Sequence, residues 1–366
     1  MKNIMKLMFV LISSFAIISS VNAGELSVTG SAKASYNISS TDSDTGGNDR
    51  GKAIGLSNEI TFVGTGELDN GMSWKWQTEM DPAAGGATTS DDTQLVLTTD
   101  FGTIGIMTSE GNLSTKYKHA GSAYGIGSDN GYGGGITYGN GLNGYNNIQF
   151  TTAADALPLG MSVAVGYAPG QEASQMAHGM ANPGTNGGVK NNNVVSYQVM
   201  AAPMDGLSIG ASYLKDDDDA DTKQEDESGG YFAKYSMGAF SVGYNKNYYA
   251  PGSTGFTTVA SGTALKATTL KAVEFFENDA LSIGFAVNDN LSLSYDIEKS
   301  EANKRTVTQA NAAHTDNAVE LEITSIQAAY TIGGATLAIT HEEYENDAYA
   351  LGKDNKETIF TMAMAF

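Results

Sequence analysis

From Leu26 onward the chain alternates apolar or small residues with polar ones. Leu26, Val28, Gly30, Ala32, Ala34, Tyr36 and Ile38 fall on one face, and Ser27, Thr29, Ser31, Lys33, Ser35 and Asn37 on the other. A period of two is that of a strand, not a helix. The same alternation sets Ile60 and Phe62 against Glu59 and Thr61, and Met72, Trp74 and Trp76 against Lys75, Gln77 and Glu79. It returns at the end, where Thr358, Phe360, Met362, Met364 and Phe366 oppose Ile359, Thr361, Ala363 and Ala365. Segments of about ten residues with one face suited to lipid and one to water are the pattern of a transmembrane β-barrel.

The punctuation between these segments has its own rhythm. Leu68-Asp69-Asn70-Gly71 predicts a tight hairpin of the Asn-Gly kind. Short connections are also expected at Thr99–Gly102, Asp155–Gly160, Pro203–Gly206, Ser236–Gly238, Asn288–Asn290 and Ile332–Gly334. They alternate with long polar stretches near 39–53, 81–91, 110–144, 169–190, 216–227, 250–278, 301–317 and 346–355. Seven short and eight long connections join sixteen strands. An even count lets the first strand, near 25–38, and the last, near 356–366, run antiparallel and close the sheet, leaving no edge to meet lipid. Both termini then lie at the periplasmic rim, with short turns on that side and long loops outside. The fold class expected is all-β, an antiparallel transmembrane barrel of about 16 strands. A soluble β-sandwich or solenoid also alternates and is also glycine-rich. Against it stand the strand length, the strict alternation of short and long connections, and Tyr36, Tyr167, Tyr213, Tyr235, Tyr244, Tyr295 and Tyr330 near strand ends on the apolar face.

Ahead of the barrel, residues 1–23 carry Lys2 and Lys6, an apolar run from Leu7 to Ile18, and the small-residue site Val21-Asn22-Ala23. This is the form of a secretory signal peptide cut after Ala23. An apolar core of about 12 residues is too short to span a membrane as a helix. The domain division is therefore a leader over 1–23 and a barrel over 24–366. Losing the two lysines turns a formal charge of −21 into −23 over 343 residues, which disfavours nucleic acid and favours cations nearby. With no cysteine there is no disulfide framework and no thiol chemistry. No apolar run of 18 residues follows residue 23, so a membrane location requires strands.

The terminal strand, Asn58-Glu59-Ile60-Thr61-Phe62 with Gly66 to Gly71, Trp74 to Glu79, Leu97 to Gly105 and Asn147-Ile148-Gln149-Phe150 together resemble the general porins of Gram-negative bacteria. The likeness covers the mature chain in layout, with its specific motifs in the first 170 residues and the terminal Phe. It implies a homotrimeric outer-membrane pore for passive diffusion of small hydrophilic solutes and ions, embedded in membrane lipid. It also implies a third loop folded into the lumen, its carboxylates facing basic wall residues across a constriction, and Phe366 as the signal read by the barrel-insertion machinery.

The third connection, 110–144, is the longest of the set, and its charges are Glu110, Lys116, Lys118 and Asp129. Glu110 and Asp129 are the loop carboxylates most like those of a family constriction; an acid merely facing solvent is the alternative for each. Alternation parity puts Lys33, Glu59, Lys75, Gln77, Glu79, Lys234, Asp296, Glu298, Glu320, Glu322 and Glu342 on the lumen face. Lys33 and Lys75 are candidates for the basic side of the constriction, or ordinary solvated wall residues. The chain departs from the family in having only Arg50 and Arg305, both in expected outer loops. A lumen richer in carboxylates than lysines points to cations or neutral solutes.

Other chemistry is thinner. The acidic run Asp216–Asp221 and Glu225–Glu227 offers hard oxygens to Ca²⁺ but lacks the EF-hand spacing, and a solvated acidic loop explains it better. His119, His178, His314 and His341 make no catalytic motif, so no enzyme activity, cofactor or metal is expected. Two rival functions stay open on the residues: a substrate-specific channel lined by Tyr117, Tyr124 and Tyr132, and a barrel with an adhesive or structural role.

Overall fold

The computed structural model describes residues 24–43, 49–82, 88–108, 136, 142, 146–153, 156–169, 193–217, 224–253, 272–306 and 315–366. Sixteen strands form: β1 (Glu25–Ser43), β2 (Asp49–Glu67), β3 (Ser73–Pro82), β4 (Thr88–Thr99), β5 (Gly102–Thr108), β6 (Asn147–Thr152), β7 (Ser162–Ala168) and β8 (Asn193–Met204), then β9 (Leu207–Asp217), β10 (Asp226–Met237), β11 (Phe240–Ala250), β12 (Val273–Ala286), β13 (Leu291–Thr306), β14 (Thr315–Ile332), β15 (Ala335–Glu345) and β16 (Lys353–Ala365). Each pairs antiparallel with its neighbours in the chain, and β16 returns to β1, so the sheet is a closed barrel.

The seam is made by residues whose side chains agree on both strands. Tyr36 lies opposite Phe360, Ala34 opposite Met362 and Ala32 opposite Met364. It ends where Gly30 N–H donates to the Phe366 carbonyl at 2.8 Å and Phe366 N–H donates back to Gly30 at 2.9 Å. A Cβ on Gly30 would lie 2.6 Å from the Phe366 ring and 2.9 Å from the Glu59 carbonyl, so glycine is what lets the terminal ring lie over the seam.

The seven short connections fall where the turn residues predict them. The first is closed by Gly71 N–H donating to the Leu68 carbonyl at 2.9 Å, with Gly71 at φ +83° in the region that favours glycine. The first expected long loop, 39–53, is corrected: β1 and β2 stay paired through Thr41 and Asp49, leaving only 44–48 between them. The acidic run is divided in the same way, Asp216 and Asp217 ending β9 and Asp226 and Glu227 opening β10. Above the membrane both faces of a strand meet water, so alternation fades while the hydrogen-bonded ladder continues.

Paired residues share a face, so the register assigns every strand position to the outside or the inside. Outside are Leu26, Ile54, Leu56, Trp76, Ile283 and Phe360, all large and exposed, together with the seven tyrosines named above. Inside are polar residues that are fully covered, among them Asn245, Asn278, Ser300 and Glu342. Along β11–β14 the outer apolar band ends at a row in which Lys246, Asp279, Lys299 and Glu322 are successive register partners. Lys299 Nζ lies 2.5 Å from Glu322 and 3.3 Å from Glu320, and Tyr244 donates its hydroxyl to Asp279 at 2.6 Å. Glu320 and Glu322 are thus outer-face residues, a correction to their expected place on the lumen wall. On β14 the inner face is Val319, Leu321, Ile323, Ser325 and Gln327, apolar at its upper end.

Gly30→Val should force the Phe366 ring off the seam. Overpacking of this kind costs about 1–3 kcal/mol, so the variant is expected to lose its folded, heat-modifiable gel mobility at a lower temperature than the native barrel, with the outer face otherwise unchanged.

Candidate functional site

The functional surface of a closed barrel is its inner wall, and here it has two unlike sides. On β1–β4, register partners bring Ser31 to Glu59 and Thr61 to Glu79, with Lys33, Lys75 and Gln77 on the same inner face. Thr61 donates to Glu79 at 3.0 Å, Ser31 to Glu59 at 3.4 Å, and Lys75 Nζ to Gln77 Oε1 at 3.0 Å. The register shifts between Gln77 and Glu79, and Asp92, at φ +39°, accepts hydrogen bonds from both Gln77 and Gln94. Carboxylate oxygens of Glu59, Glu79 and Asp81 all lie within 4.8 Å of one another. Lys33 and Glu59 are exposed and Glu79 and Asp81 half-buried, so this side faces open lumen.

The part of the wall on β11–β16, which meets β1 at the seam, is covered. Its upper part is an apolar cluster of inner-face residues, Tyr249, Phe276, Leu321, Ile323 and Tyr344 among them, and Ile136 of the third long connection belongs to it. Leu142, six residues on, is packed with Ala168, Val194 and Leu214 on the inner face of β7–β9. The contact is close: a Cβ on Gly166 would lie 2.0 Å from Leu142 Cδ2, so any larger residue there would have to displace the Leu142 side chain. Asn147 donates to the Leu142 carbonyl at 3.1 Å, and Gln149 to Asn147 at 2.7 Å. These two residues place at least part of the third connection against the inner wall at two separate points. The last outer connection also turns inward through a 3-10 turn at Asp347–Tyr349, where Tyr349 shares a hydrogen bond of 2.7 Å with Ser300 and its carbonyl accepts from Lys304 at 2.5 Å.

A family model for Gram-negative porins matches residues 7–365 of the chain. The chain belongs to the Gram-negative porin family. No curated protein matches it. Among solved structures, this porin is similar to Salmonella typhi OmpF in complex with daunomycin, at TM-score 0.61 and 14% identity over 94% of this chain and 98% of that one. It is also similar to the anion-selective porin of Comamonas acidovorans, at TM-score 0.60 and 12% identity over 93% and 100%. The trimer form of OmpT from Vibrio cholerae aligns at TM-score 0.52 and 13% identity over 94% and 100%. At these identities the likeness is one of fold. Family and fold together make this porin an outer-membrane channel for diffusion.

Of the residues singled out from sequence, Lys33, Glu59, Lys75, Glu79, Lys234, Asp296, Glu298 and Glu342 are on the inner face of this porin. Glu110, Lys116, Lys118 and Asp129 lie outside the described residues, as do Tyr117, Tyr124, Tyr132, His119, His178 and His314. His341 is on the outer face of β15, its Nδ1 2.9 Å from Thr358 Oγ1. Inner-face Glu357, Asp81 and Lys304 were missed. Glu357 shares the parity of Ile359 and Thr361 and was readable on that signal; Ile136 and Leu142, lone apolar residues in a long polar stretch, gave a weaker one.

Because the chain has no native cysteine, the double variant Leu142→Cys and Gly166→Cys carries a single possible cross-link. It is expected to form a disulfide on mild oxidation, read as a gel shift reversed by reductant, while single-channel conductance changes little. A pair that stays reduced would place Leu142 away from the wall.

Proposed function

We propose that this porin is a water-filled channel for passive diffusion of small hydrophilic solutes, favouring cations over anions. One observation carries the preference: the accessible side of the inner wall groups Glu59, Glu79 and Asp81 closely enough for their oxygens to lie within 4.8 Å, while of the two lysines nearby Lys75 is turned to Gln77. A grouped negative charge on a water-filled path raises the local concentration of cations and repels anions. Glu110, Asp129, Lys116 and Lys118 belong to the connection whose Ile136 and Leu142 sit on the inner wall, which supports a constriction between them and the Lys33, Glu59, Lys75, Glu79 side.

The remaining parts of the reading follow from the same chain. Residues 1–23 act as a cleaved leader, and Phe366, lying on the outer face at the closing seam, serves as the insertion signal. The trimer form of the Vibrio cholerae neighbour supports a homotrimer, and the barrel works as a channel rather than an enzyme.

Reversal potentials across a planar bilayer under a KCl gradient test the preference. Potassium is expected to be favoured severalfold over chloride, and Glu59→Lys with Glu79→Lys should move the reversal potential toward the chloride value. A native channel already selective for chloride would remove the proposal.

A further inference from the structure

Two acids face each other on the covered part of the inner wall. Glu342 of β15 and Glu357 of β16 are direct register partners, 0% and 1% exposed. On the outer face of these two strands the apolar residues stop at the Ile339 and Phe360 pair, and the next outer pairs are His341 with Thr358 and Glu343 with Lys356. The two buried acids therefore stand just above the lipid band. Opposed residues of an antiparallel pair have their Cβ atoms about 5 Å apart, and like charges so placed destabilise a sheet.

The two acids are not equally equipped to carry charge. Asn37 of β1 donates to Glu357 Oε2 at 2.7 Å. Tyr344 donates to Glu342 Oε2 at 2.6 Å, but Glu342 Oε1 is buried with no partner. On β14 the register partner of Glu342 is Ser325, with Ile323 and Gln327 on either side, so that strand brings no charge. Farther round the wall, Asp296 and Glu298 of β13 bear on Glu342 with charge of the same sign. The lysines of this region are engaged elsewhere: Lys299 with Glu322, Lys356 with Glu343, Lys353 with Asp347, and Lys304 with the Tyr349 carbonyl. Among the described residues, no cation faces Glu342. A carboxylate is costly in such a place, whereas a carboxylic acid is not, because a proton on Oε1 turns the unpartnered acceptor into a donor facing Glu357.

We propose that Glu342 keeps a proton on Oε1 at neutral pH, shared with the facing Glu357, and that its loss is a pH-sensitive release of the covered wall. Burial first, and the charges of Glu357, Glu298 and Asp296 with it, push the Glu342 carboxyl up to about 8, against the pull of the Tyr344 hydroxyl. Losing the proton sets two negative charges face to face in a dry interior, and water has to enter to answer them. It enters beside Tyr344, which belongs to the apolar cluster that seats Ile136 of the third long connection. A carboxyl that titrates higher in the folded chain than in the unfolded one contributes fully to stability only below its ordinary value of about 4, and the contribution is lost as the pH rises past the folded value. The covered wall is thus held at low and neutral pH and loosened under alkaline conditions.

The test follows the melting temperature of the full protein in detergent from about pH 5 to about pH 9, a range that begins above the ordinary carboxyl value. The native protein is expected to lose several degrees across it. Glu342→Gln keeps the shape but cannot take the charge, so it should lose most of that slope, while Glu343→Gln on the outer face should keep it. In a planar bilayer the native channel should show added conductance levels at the alkaline end and Glu342→Gln should not. A native protein with no fall overturns the proposal, as does a fall that survives in Glu342→Gln or disappears in Glu343→Gln, or identical alkaline records from the native channel and Glu342→Gln. Should Glu342→Gln fail to fold, infrared difference spectra of the native protein read the proton directly, as a protonated-carboxyl band present at neutral pH and lost at alkaline pH. Tyr344→Phe removes the donor to Oε2 and should move that loss to higher pH; no band, or a loss at an unchanged pH, counts against the proposal.

Discussion

Every backbone N–H and C=O at membrane depth has to be satisfied within the protein, because hydrocarbon offers no partner. For strands this leaves closure as the solution, and closure fixes the rest. It makes β1 and β16 partners across more than 300 residues of sequence. It brings the chain end to Gly30, and it divides every strand into an outward and an inward face. The mutual bonds between Gly30 and Phe366 finish that ladder at its lower edge. A terminal aromatic is suited to the place, since its ring covers the seam from the lipid side where a polar end would not.

With the outer face committed to lipid, all chemistry has to be built inside, and the inner wall divides by accessibility. Ile136 and Leu142 lean on β11–β15 and on β7–β9, and the Asp347–Tyr349 turn folds in beside the first of these. What they cover becomes a packed interior with apolar residues above and hydrogen-bonded polar residues below. What they leave uncovered is β1–β4, where Lys33 and Glu59 remain exposed. Two groups of carboxylates on one wall therefore live under different physics: solvated ones on the open side, and buried ones on the covered side.

The barrel was largely legible in the sequence because its outer face is governed by one rule. Apolar residues every second position mark lipid contact, and Asn-Gly or Gly-rich turns mark the short ends, so strand number, order and seam follow. The inner face has no such rule. Parity was read there by assuming that charged residues point inward and apolar ones outward, which holds for Glu59, Glu79 and Glu342 but fails on β14. Val319, Leu321 and Ile323 point inward, because they meet Ile136 and the neighbouring inner-face aromatics. Glu320 and Glu322 point outward, above the lipid band, where Lys299 pairs with both. The contacts that reverse the pattern come from distant loops, and no local periodicity records them.

The same failure explains why β1, β2, β13 and β14 run longer than their alternation indicates. Alternation is a membrane signal, produced by asymmetry between the two environments, and it stops where both faces are wet or both are covered. Hydrogen bonding has no such limit, so β1 and β2 keep pairing to Thr41 and Asp49. Extending the strands beyond the bilayer gives the long connections a rigid rim, and from such a rim a connection can be directed inward as well as outward. Gly166 shows how finely the wall receives it. A methyl group at that position would collide with Leu142, so the docking point is encoded by a missing side chain rather than by a present one. The path left for solutes is then set by backbone closure and by small residues at the docking points, with the charged side chains acting on a channel whose shape is already fixed.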